Sequence, residues 1–129
     1  PPVIGHRVMP EEIAHEVEHM MESVALPGGG GVKAAIRDYR VAVKTGTAKK
    51  IDDSGKYVDK YVAYTAGVAP ASDPRFALVV VINDPQNGAY YGGAVSAPVF
   101  SEIMGNVLRL ENVKPDGLPA GSDHLIVMR

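Results

Sequence analysis

The sequence contains no cysteine among its 129 residues, so it can form no disulfide bond and offers no thiol nucleophile. No apolar run approaches the ~18 residues that a membrane-spanning helix needs, and no signal peptide is recognisable. The formal net charge of −2 provides no basic field that would attract nucleic acid. What remains is a globular chain, 46% apolar and long enough for one domain at most. We expect residues 1–112 to form its folded part and residues 113–129 to be a loosely held tail.

The stretch Val41–Lys50, VAVKTGTAKK, has the most specific pattern in the chain. Its β-branched residues occupy every second position, which predicts a β-strand: Val41, Val43, Thr45 and Thr47. A glycine inside a strand, here Gly46, usually marks a close approach by a ligand or another backbone. Lys44 and the two threonines therefore form a compact cationic edge rich in hydrogen-bonding groups. The alternative is an ordinary edge strand that a solvated lysine protects against aggregation.

Two further strands are predicted after the turn signal Asp52–Gly55. They span Tyr61–Ala69 and Phe76–Asn83, and the latter contains ALVVVI without polar alternation, which indicates burial on both faces. Both connections are too short for a parallel crossover, which takes about a dozen residues. The predicted fold is therefore α/β (α+β), with a three-strand antiparallel meander flanked by helices.

Two amphipathic helices are predicted, one before and one after the strands. The first begins near Pro10 and ends before the glycine run, and its apolar face comprises Ile13, Val17, Met20, Met21 and Val24. The second begins near Ser96 or Ala97, with Pro98 in its first turn. Its apolar arc, which we expect to lie across the sheet, comprises Val99, Phe100, Ile103, Met104, Val107 and Leu110.

The first predicted helix also contains H-E-x-x-H over residues 15–19, which is the zinc-protease signature. His15 and His19 would share one helical face. At ~100° per residue, however, that face points away from the apolar stripe and not into a buried cleft. We therefore expect both histidines to be solvated, and we expect neither a metal nor another cofactor.

Lys44-Thr45-Gly46 is the K-T-G element of the penicillin-recognising serine enzymes. Three segments follow it in the order and spacing of one branch of these enzymes: YTAGVAP, RFALVVVINDP and YYGGAVSAPVF. From Arg7 to Asp116 the chain resembles the division-specific class B penicillin-binding proteins, the septal peptidoglycan D,D-transpeptidases of Gram-negative bacteria commonly called penicillin-binding protein 3. The resemblance implies part of a transpeptidase domain of the serine β-lactamase-like type. It also implies the periplasmic face of the bacterial inner membrane, with the anchor outside this chain.

The reaction that this resemblance implies is acyl transfer. A serine attacks the D-Ala-D-Ala amide of a peptidoglycan stem peptide, and the amine of a second strand then takes the acyl group. β-Lactam antibiotics mimic the first substrate and leave a slow acyl-enzyme. The implied partners are therefore stem peptides, β-lactams and divisome proteins, with no nucleic acid.

The resemblance also implies roles for the K-T-G strand. Lys44 and Thr47 are the catalytic candidates, because the lysine supplies charge near the serine and the Thr47 backbone N–H is the oxyanion-hole donor. The hydroxyls of Thr45 and Thr47 hold the substrate carboxylate, and Gly46 leaves room for the acyl group. Val43 departs from the commonest family pattern, in which glycine precedes the lysine.

The antiparallel order brings the end of strand one, the start of strand two and the loop after strand three to one edge of the sheet. We therefore expect Lys49–Lys50, Tyr61, Tyr90 and Tyr91 to lie together. Aromatic residues at matching family positions line the substrate and β-lactam pocket, so we assign the three tyrosines to substrate binding. The alternative is that Tyr90 and Tyr91 pack under the last helix.

A nucleophile is missing from this sequence. None of its six serines is followed by lysine at the third position or by asparagine at the second, so the motifs S-x-x-K and S-x-N are both absent. Because the chain also starts without methionine, we expect it to be the C-terminal part of a transpeptidase domain. It would need the remainder of the domain, which carries both motifs, and would be inactive alone. The alternative is a folded fragment with no activity of its own.

Overall fold

The computed structural model describes residues 5–117 and contains, within that range, one three-stranded sheet and three α-helices. The elements in chain order are α1 (Glu11–Glu22), β1 (Ala42–Ile51), β2 (Tyr57–Ala69), β3 (Phe76–Asn83), α2 (Gly92–Val95) and α3 (Ala97–Leu110). Single 3₁₀ turns at Ser23–Ala25 and Val32–Ala34 lie between α1 and β1. The strand order is β1-β2-β3 and both pairs are antiparallel, so the predicted meander is confirmed.

α3 packs across one face of the sheet and provides the largest core side chains. Phe100, Met104 and Leu108 are fully buried, and each such burial contributes about 1.5–3 kcal/mol. The predicted apolar arc was wrong in part, because Ile103 is 43% exposed, Leu110 is 79% exposed and the arc omitted Leu108. The buried residues follow the i, i+4 spacing of one narrow stripe, and the two exposed residues lie beside it.

β3 is not buried on both faces, contrary to the prediction. Val79 is 63% exposed and Val81 58% exposed, whereas Val80 between them is buried. α3 covers the face that bears Val80, and no described element covers the other. Tyr64 of β2, the register partner of Val81, is also partly exposed there. We refer to Tyr64, Val79 and Val81 as the open face of the sheet.

The apolar stripe of α1 is also largely exposed. Ile13, Val17 and Met20 expose 45%, 40% and 63% of their surface, and α1 packs mainly against β1. The helix ends at Glu22, and a 3₁₀ turn continues it to Ala25. Among residues 5–117, no helix is long and apolar enough to cross a membrane.

The β1–β2 hairpin keeps an unbroken register along the K-T-G segment and loses it near its tip. Residues 42–49 pair with residues 61–68, and the register shifts between Lys49 and Ile51. Ile51 then pairs with Tyr57, so β2 begins four residues earlier than predicted. The Asp52 carboxylate accepts three hydrogen bonds within the turn, at 2.6–3.0 Å.

The described start of the predicted tail is hydrogen-bonded to the chain before β1. An Asp116 carboxylate oxygen accepts a hydrogen bond from the Arg40 backbone N–H at 2.7 Å. The Tyr39 hydroxyl donates to the Val113 carbonyl oxygen, also at 2.7 Å. These contacts attach the described start of the tail to the chain just before β1, and residues 118–129 lie outside the described residues.

We predict that Glu22→Gln lowers the free energy of unfolding by about 1 kcal/mol at neutral pH. Arg40 donates two hydrogen bonds to the Glu22 carboxylate, at 2.7 and 2.8 Å, and these hold the pKa of Glu22 below its ordinary value of 4.5. A lowered folded-state pKa stabilises the fold above the unfolded-state pKa and loses that effect as the pH falls through the folded value.

Urea-induced unfolding at pH 7 and pH 3 would test this, with Glu16→Gln on the exposed face of α1 as the control. The Glu22→Gln difference should shrink at the acidic pH. An equal loss at both pH values would mean that packing, and not charge, is responsible.

Candidate functional site

β1 presents alternate backbone groups at the outer edge of the sheet. Among the described residues it pairs only with β2. The Tyr61 carbonyl accepts a hydrogen bond from the Asp84 N–H at 2.8 Å, so the odd-numbered residues of β2 direct their backbone groups toward β3. The even-numbered residues of β2 therefore bond β1, where their register partners are also even-numbered. It follows that the N–H and C=O groups of Thr45 and Thr47 point outward, at what we call the open edge.

The Lys44 side chain lies at this open edge. Its ammonium group donates a hydrogen bond to the outward-pointing carbonyl of Thr45, at 2.6 Å. Within the described part of the chain, no ion pair engages Lys44. Because an ammonium group has three N–H donors, two remain for a ligand or another segment.

Position 46 has room only for glycine, because the side chain of its register partner on β2 occupies the space of a Cβ atom. A Cβ atom at Gly46 would lie 2.1 Å from Cζ of Tyr64, its register partner, because the tyrosine ring lies across the glycine on the open face. The family resemblance implies that Gly46 leaves room for an acyl group. The structure adds a packing reason for the same glycine.

On the opposite face of the sheet, the start of α2 rests directly on β1. The Gly92 backbone N–H donates a hydrogen bond to the Thr47 hydroxyl oxygen at 3.0 Å. A Cβ atom at Gly92 would lie 2.5 Å from the carbonyl oxygens of both Gly46 and Tyr64. Only glycine permits this approach, and the approach fixes the Thr47 hydroxyl.

A cleft of about 350 Å³ lies beside this contact. Its lining consists of Gly30, Val32, Lys33, Thr45, Thr47, Tyr91, Gly92, Gly93 and Ala94. The two threonines of the K-T-G strand thus share the cleft with an exposed cation, Lys33, and with an exposed tyrosine, Tyr91. Hydroxyl donors and a cation in one cleft suit an anionic ligand group.

The three tyrosines meet at the same end of the sheet, as the meander order predicts. The rings of Tyr61 and Tyr90 stack with centroids 4.1 Å apart and 15° between their planes, and those of Tyr90 and Tyr91 are 4.5 Å apart. The Tyr90 and Tyr91 hydroxyls are 3.3 Å apart, and this hydrogen bond raises the pKa of Tyr90. Tyr91 is 62% exposed, so the pair does not pack under α3.

Lys49 and Lys50 lie beside the tyrosines, and both already have partners. The Lys49 ammonium is 2.8 Å from the Asp59 carboxylate and 5.9 Å from the centroid of the Tyr61 ring. The ion pair raises the pKa of Lys49 and lowers that of Asp59. Lys50 donates a hydrogen bond to the Asn83 side-chain oxygen at 3.1 Å. Among residues 5–117, Lys44 therefore differs from both in having no side-chain partner.

His15 and His19 lie on the solvated face of α1, as predicted. Their side chains are 59% and 82% exposed. Their partners are glutamates on the same helix, such as Glu18 at 3.2 Å from His15 and Glu22 at 3.5 Å from His19. Among residues 5–117, no three His, Asp or Glu side chains converge to hold a metal.

Three features of the site were not found from the sequence. Lys33 reaches the cleft because the connector before β1 lies along the cleft, and no local sequence pattern predicts that path. Gly92 was assigned no role, although a glycine can also signal a close approach of one backbone to another group. The buried hydroxyls of Thr65 and Ser96, 2.8 Å apart, lie on elements far apart in sequence.

Residues 1–105 match the family described as the penicillin binding protein transpeptidase domain. The chain is 70% identical over 128 residues to the peptidoglycan D,D-transpeptidase FtsI of Escherichia coli K12, which covers 99% of this chain and 22% of that protein. It is 43% identical over 112 residues to the probable peptidoglycan D,D-transpeptidase PenA of Neisseria gonorrhoeae, which covers 86% of this chain and 19% of that protein. The chain therefore spans about a fifth of the length of these relatives.

A similar solved structure is the apo TP domain of penicillin-binding protein 3 from Burkholderia pseudomallei. It matches with a TM-score of 0.80 and 43% identity, over 92% of this chain and 36% of that one. A peptidoglycan glycosyltransferase from Burkholderia ambifaria matches with a TM-score of 0.77 and 39% identity, over 92% of this chain and 34% of that one. With the family match extending over most of its length, the chain belongs to the penicillin-binding protein transpeptidase-domain family.

Proposed function

We propose that this chain is the K-T-G-bearing part of a peptidoglycan D,D-transpeptidase that cross-links septal cell wall through a serine acyl-enzyme and is acylated by β-lactams. The observation that carries the proposal is the outward direction of the Thr47 backbone N–H at the open edge, beside Lys44. A backbone N–H that is fixed by a sheet yet unused by it can stabilise negative charge that develops on a substrate carbonyl oxygen.

The reaction divides into two acyl transfers. The serine oxygen of another segment bonds to the carbonyl carbon of D-Ala-D-Ala, the C–N bond breaks, and the serine proton leaves with the D-Ala amine. The amine of a second stem peptide then displaces the serine oxygen, which regains a proton. Thr47 N–H stabilises the oxyanion in both steps, and Lys44 supplies positive charge beside the serine.

The carboxylate of the substrate is held at the cleft side of the K-T-G strand. Thr45 and Thr47, each of which carries a hydroxyl group, line this cleft together with Lys33. A carboxylate only accepts hydrogen bonds, and bonds to a charged acceptor are roughly twice as strong as neutral ones. This chemistry suits the terminal carboxylate of D-Ala-D-Ala and the matching carboxylate of a penicillin.

The stacked tyrosines form an aromatic wall at the end of the same edge. Tyr61 and Tyr90 are held by stacking, and Tyr91 is the member that reaches the cleft and solvent. A rigid aromatic surface beside polar anchors is typical of small-molecule sites. We assign this wall to the apolar part of the stem peptide or the β-lactam side chain.

The remainder of the domain, which carries S-x-x-K and S-x-N, is the partner of this chain. The open face exposes valines that a folded domain normally covers, and Lys44 is on that face with two of its three N–H donors unused. A segment that packs there would bring its serine to the open edge. By the same resemblance we infer a place at the periplasmic face of the inner membrane, with divisome proteins as partners.

A second candidate is a folded fragment that keeps the sheet and has no activity of its own. The absence of S-x-x-K from this sequence favours it for the chain in isolation. The two candidates differ in what happens when the remainder of the domain is supplied.

We expect a fluorescent penicillin to leave the isolated chain unlabelled. Co-expression with an upstream transpeptidase segment that carries S-x-x-K and S-x-N should restore labelling, and we call this pair the reconstituted domain. The control replaces the S-x-x-K serine of the upstream segment with alanine, which should abolish labelling. Labelling of the isolated chain, or equal labelling of the upstream segment alone, would contradict the proposal.

A further inference from the structure

Two buried hydroxyl groups lie beneath the site without contacting the cleft. Thr65, on the central strand, and Ser96, directly before α3, are both fully buried, and their oxygens are 2.8 Å apart. The Ser96 hydroxyl also donates to the Gly92 carbonyl oxygen at 2.9 Å. A buried hydroxyl group costs free energy unless it is hydrogen-bonded, and these contacts satisfy both groups.

The direction of these hydrogen bonds follows from counting hydrogens. Each hydroxyl has one hydrogen to donate. Because Ser96 gives its hydrogen to Gly92, Thr65 must be the donor in the 2.8 Å contact. On the other side of the same residue, the Gly92 N–H donates to the Thr47 hydroxyl oxygen. A chain of hydrogen bonds therefore connects Thr65 to Ser96, Ser96 to Gly92, and Gly92 to Thr47.

We propose that Thr65 and Ser96 are positioning residues that fix Thr47 as a hydrogen-bond donor to an anionic group in the cleft. The Gly92 N–H occupies a lone pair of the Thr47 oxygen, so the Thr47 hydrogen is directed elsewhere. Thr47 lines the cleft, where that hydrogen meets the ligand. A carboxylate accepts and never donates, so a hydroxyl fixed as a donor is matched to it. The inference rests on the proposed function.

Gly92 has no side-chain contacts of its own, so the hydrogen bonds of its backbone help to orient it. Its carbonyl oxygen accepts both the Ser96 hydroxyl and the Ser96 backbone N–H, at 2.9 and 3.0 Å. α2 has only four residues, so few helical bonds brace it. Loss of the Thr65 and Ser96 hydroxyls would leave the Gly92–Thr47 contact less well fixed. The hydrogen bond from the Ser96 backbone N–H to the Gly92 carbonyl would remain and keep α2 formed.

The test uses the reconstituted domain and three variants. Thr65→Val/Ser96→Ala removes both hydroxyls and leaves no orphaned partner, so the core stays satisfied. Ser96→Ala removes one. Thr65→Ser keeps the hydroxyl and is the conservative rescue. The readout is the second-order acylation rate with a penicillin that has a free carboxylate and with its methyl ester, together with the melting temperature of each variant.

We expect the double variant to react about tenfold more slowly with the free penicillin, less than the ~10²–10³ that loss of a direct donor costs. Its reaction with the ester should stay within about twofold of wild type, and Thr65→Ser should match wild type with both ligands. An equal loss with both ligands, or no loss with the free penicillin, would overturn the inference. A wild-type domain that neither ligand acylates would instead refute the proposed function and this inference with it.

Discussion

Replacing Lys44 with alanine in the reconstituted domain should slow acylation by penicillin by ~10²–10³, the usual cost of removing one preorganised electrostatic group. Lys44 lies at the open edge with two N–H donors unused, and its loss opens no cavity because the side chain is exposed. The melting temperature should therefore stay close to that of the wild type. Stopped-flow acylation and thermal unfolding of the same preparations measure the two quantities.

Lys56→Ala is the matched control for Lys44→Ala. Lys56 is also exposed, but it lies in the hairpin turn beyond the register shift and away from the K-T-G segment. Its replacement removes the same charge and should leave acylation within about twofold, because exposed charges farther apart than ~8–10 Å are largely screened. A Lys44→Ala domain that acylates at the normal rate would mean that the reacting serine does not meet this edge.

Gly92→Ala should lower the free energy of unfolding of the reconstituted domain by about 1–3 kcal/mol, the range for overpacking. The added methyl group would lie 2.5 Å from the carbonyl oxygens of Gly46 and Tyr64, which belong to the sheet and cannot move aside as a side chain can. α2 must shift instead, and this breaks the hydrogen bond to Thr47. Acylation should fall along with stability.

Gly30→Ala is the control, because its added methyl group meets no atom within 4 Å. Urea-induced unfolding of the two variants and the wild type separates the clash from the general effect of replacing glycine. If Gly92→Ala proves as stable as Gly30→Ala, the contact between α2 and β1 is looser than the structure indicates. Normal acylation by Gly92→Ala would show that Thr47 does not depend on Gly92.

The sheet was predictable because its signals are local. Alternating β-branched residues located β1, an apolar run between turn residues located β3, and short connections allowed only the antiparallel order. The meeting of Tyr61 with Tyr90 and Tyr91 followed from that order alone. The bounds of β3 were predicted to the residue, whereas β2 was cut short because Tyr57–Lys60 contains two charged residues and is mostly exposed.

The features that the sequence did not predict depend on contacts between elements that are distant in the chain. Burial of β3 on two faces was predicted from apolarity, which cannot distinguish a covered face from one that no described element covers. Leu108 and Leu110 differ in burial only through the rotation of α3 about its axis. Lys33 enters the site through the path of a connector, and apolarity and turn composition carry no information about that path.

The register shift between Lys49 and Ile51 separates the hairpin into two parts that differ in how well they tolerate inserted or deleted residues. A one-residue slip within residues 42–49 would exchange inward and outward backbone groups and turn the Thr47 N–H away from the open edge. Beyond the shift, an added or deleted residue in the turn is absorbed by the irregularity that is already present. The tip of this hairpin can therefore vary in length and composition among relatives without altering the chemistry at Lys44 and Thr47.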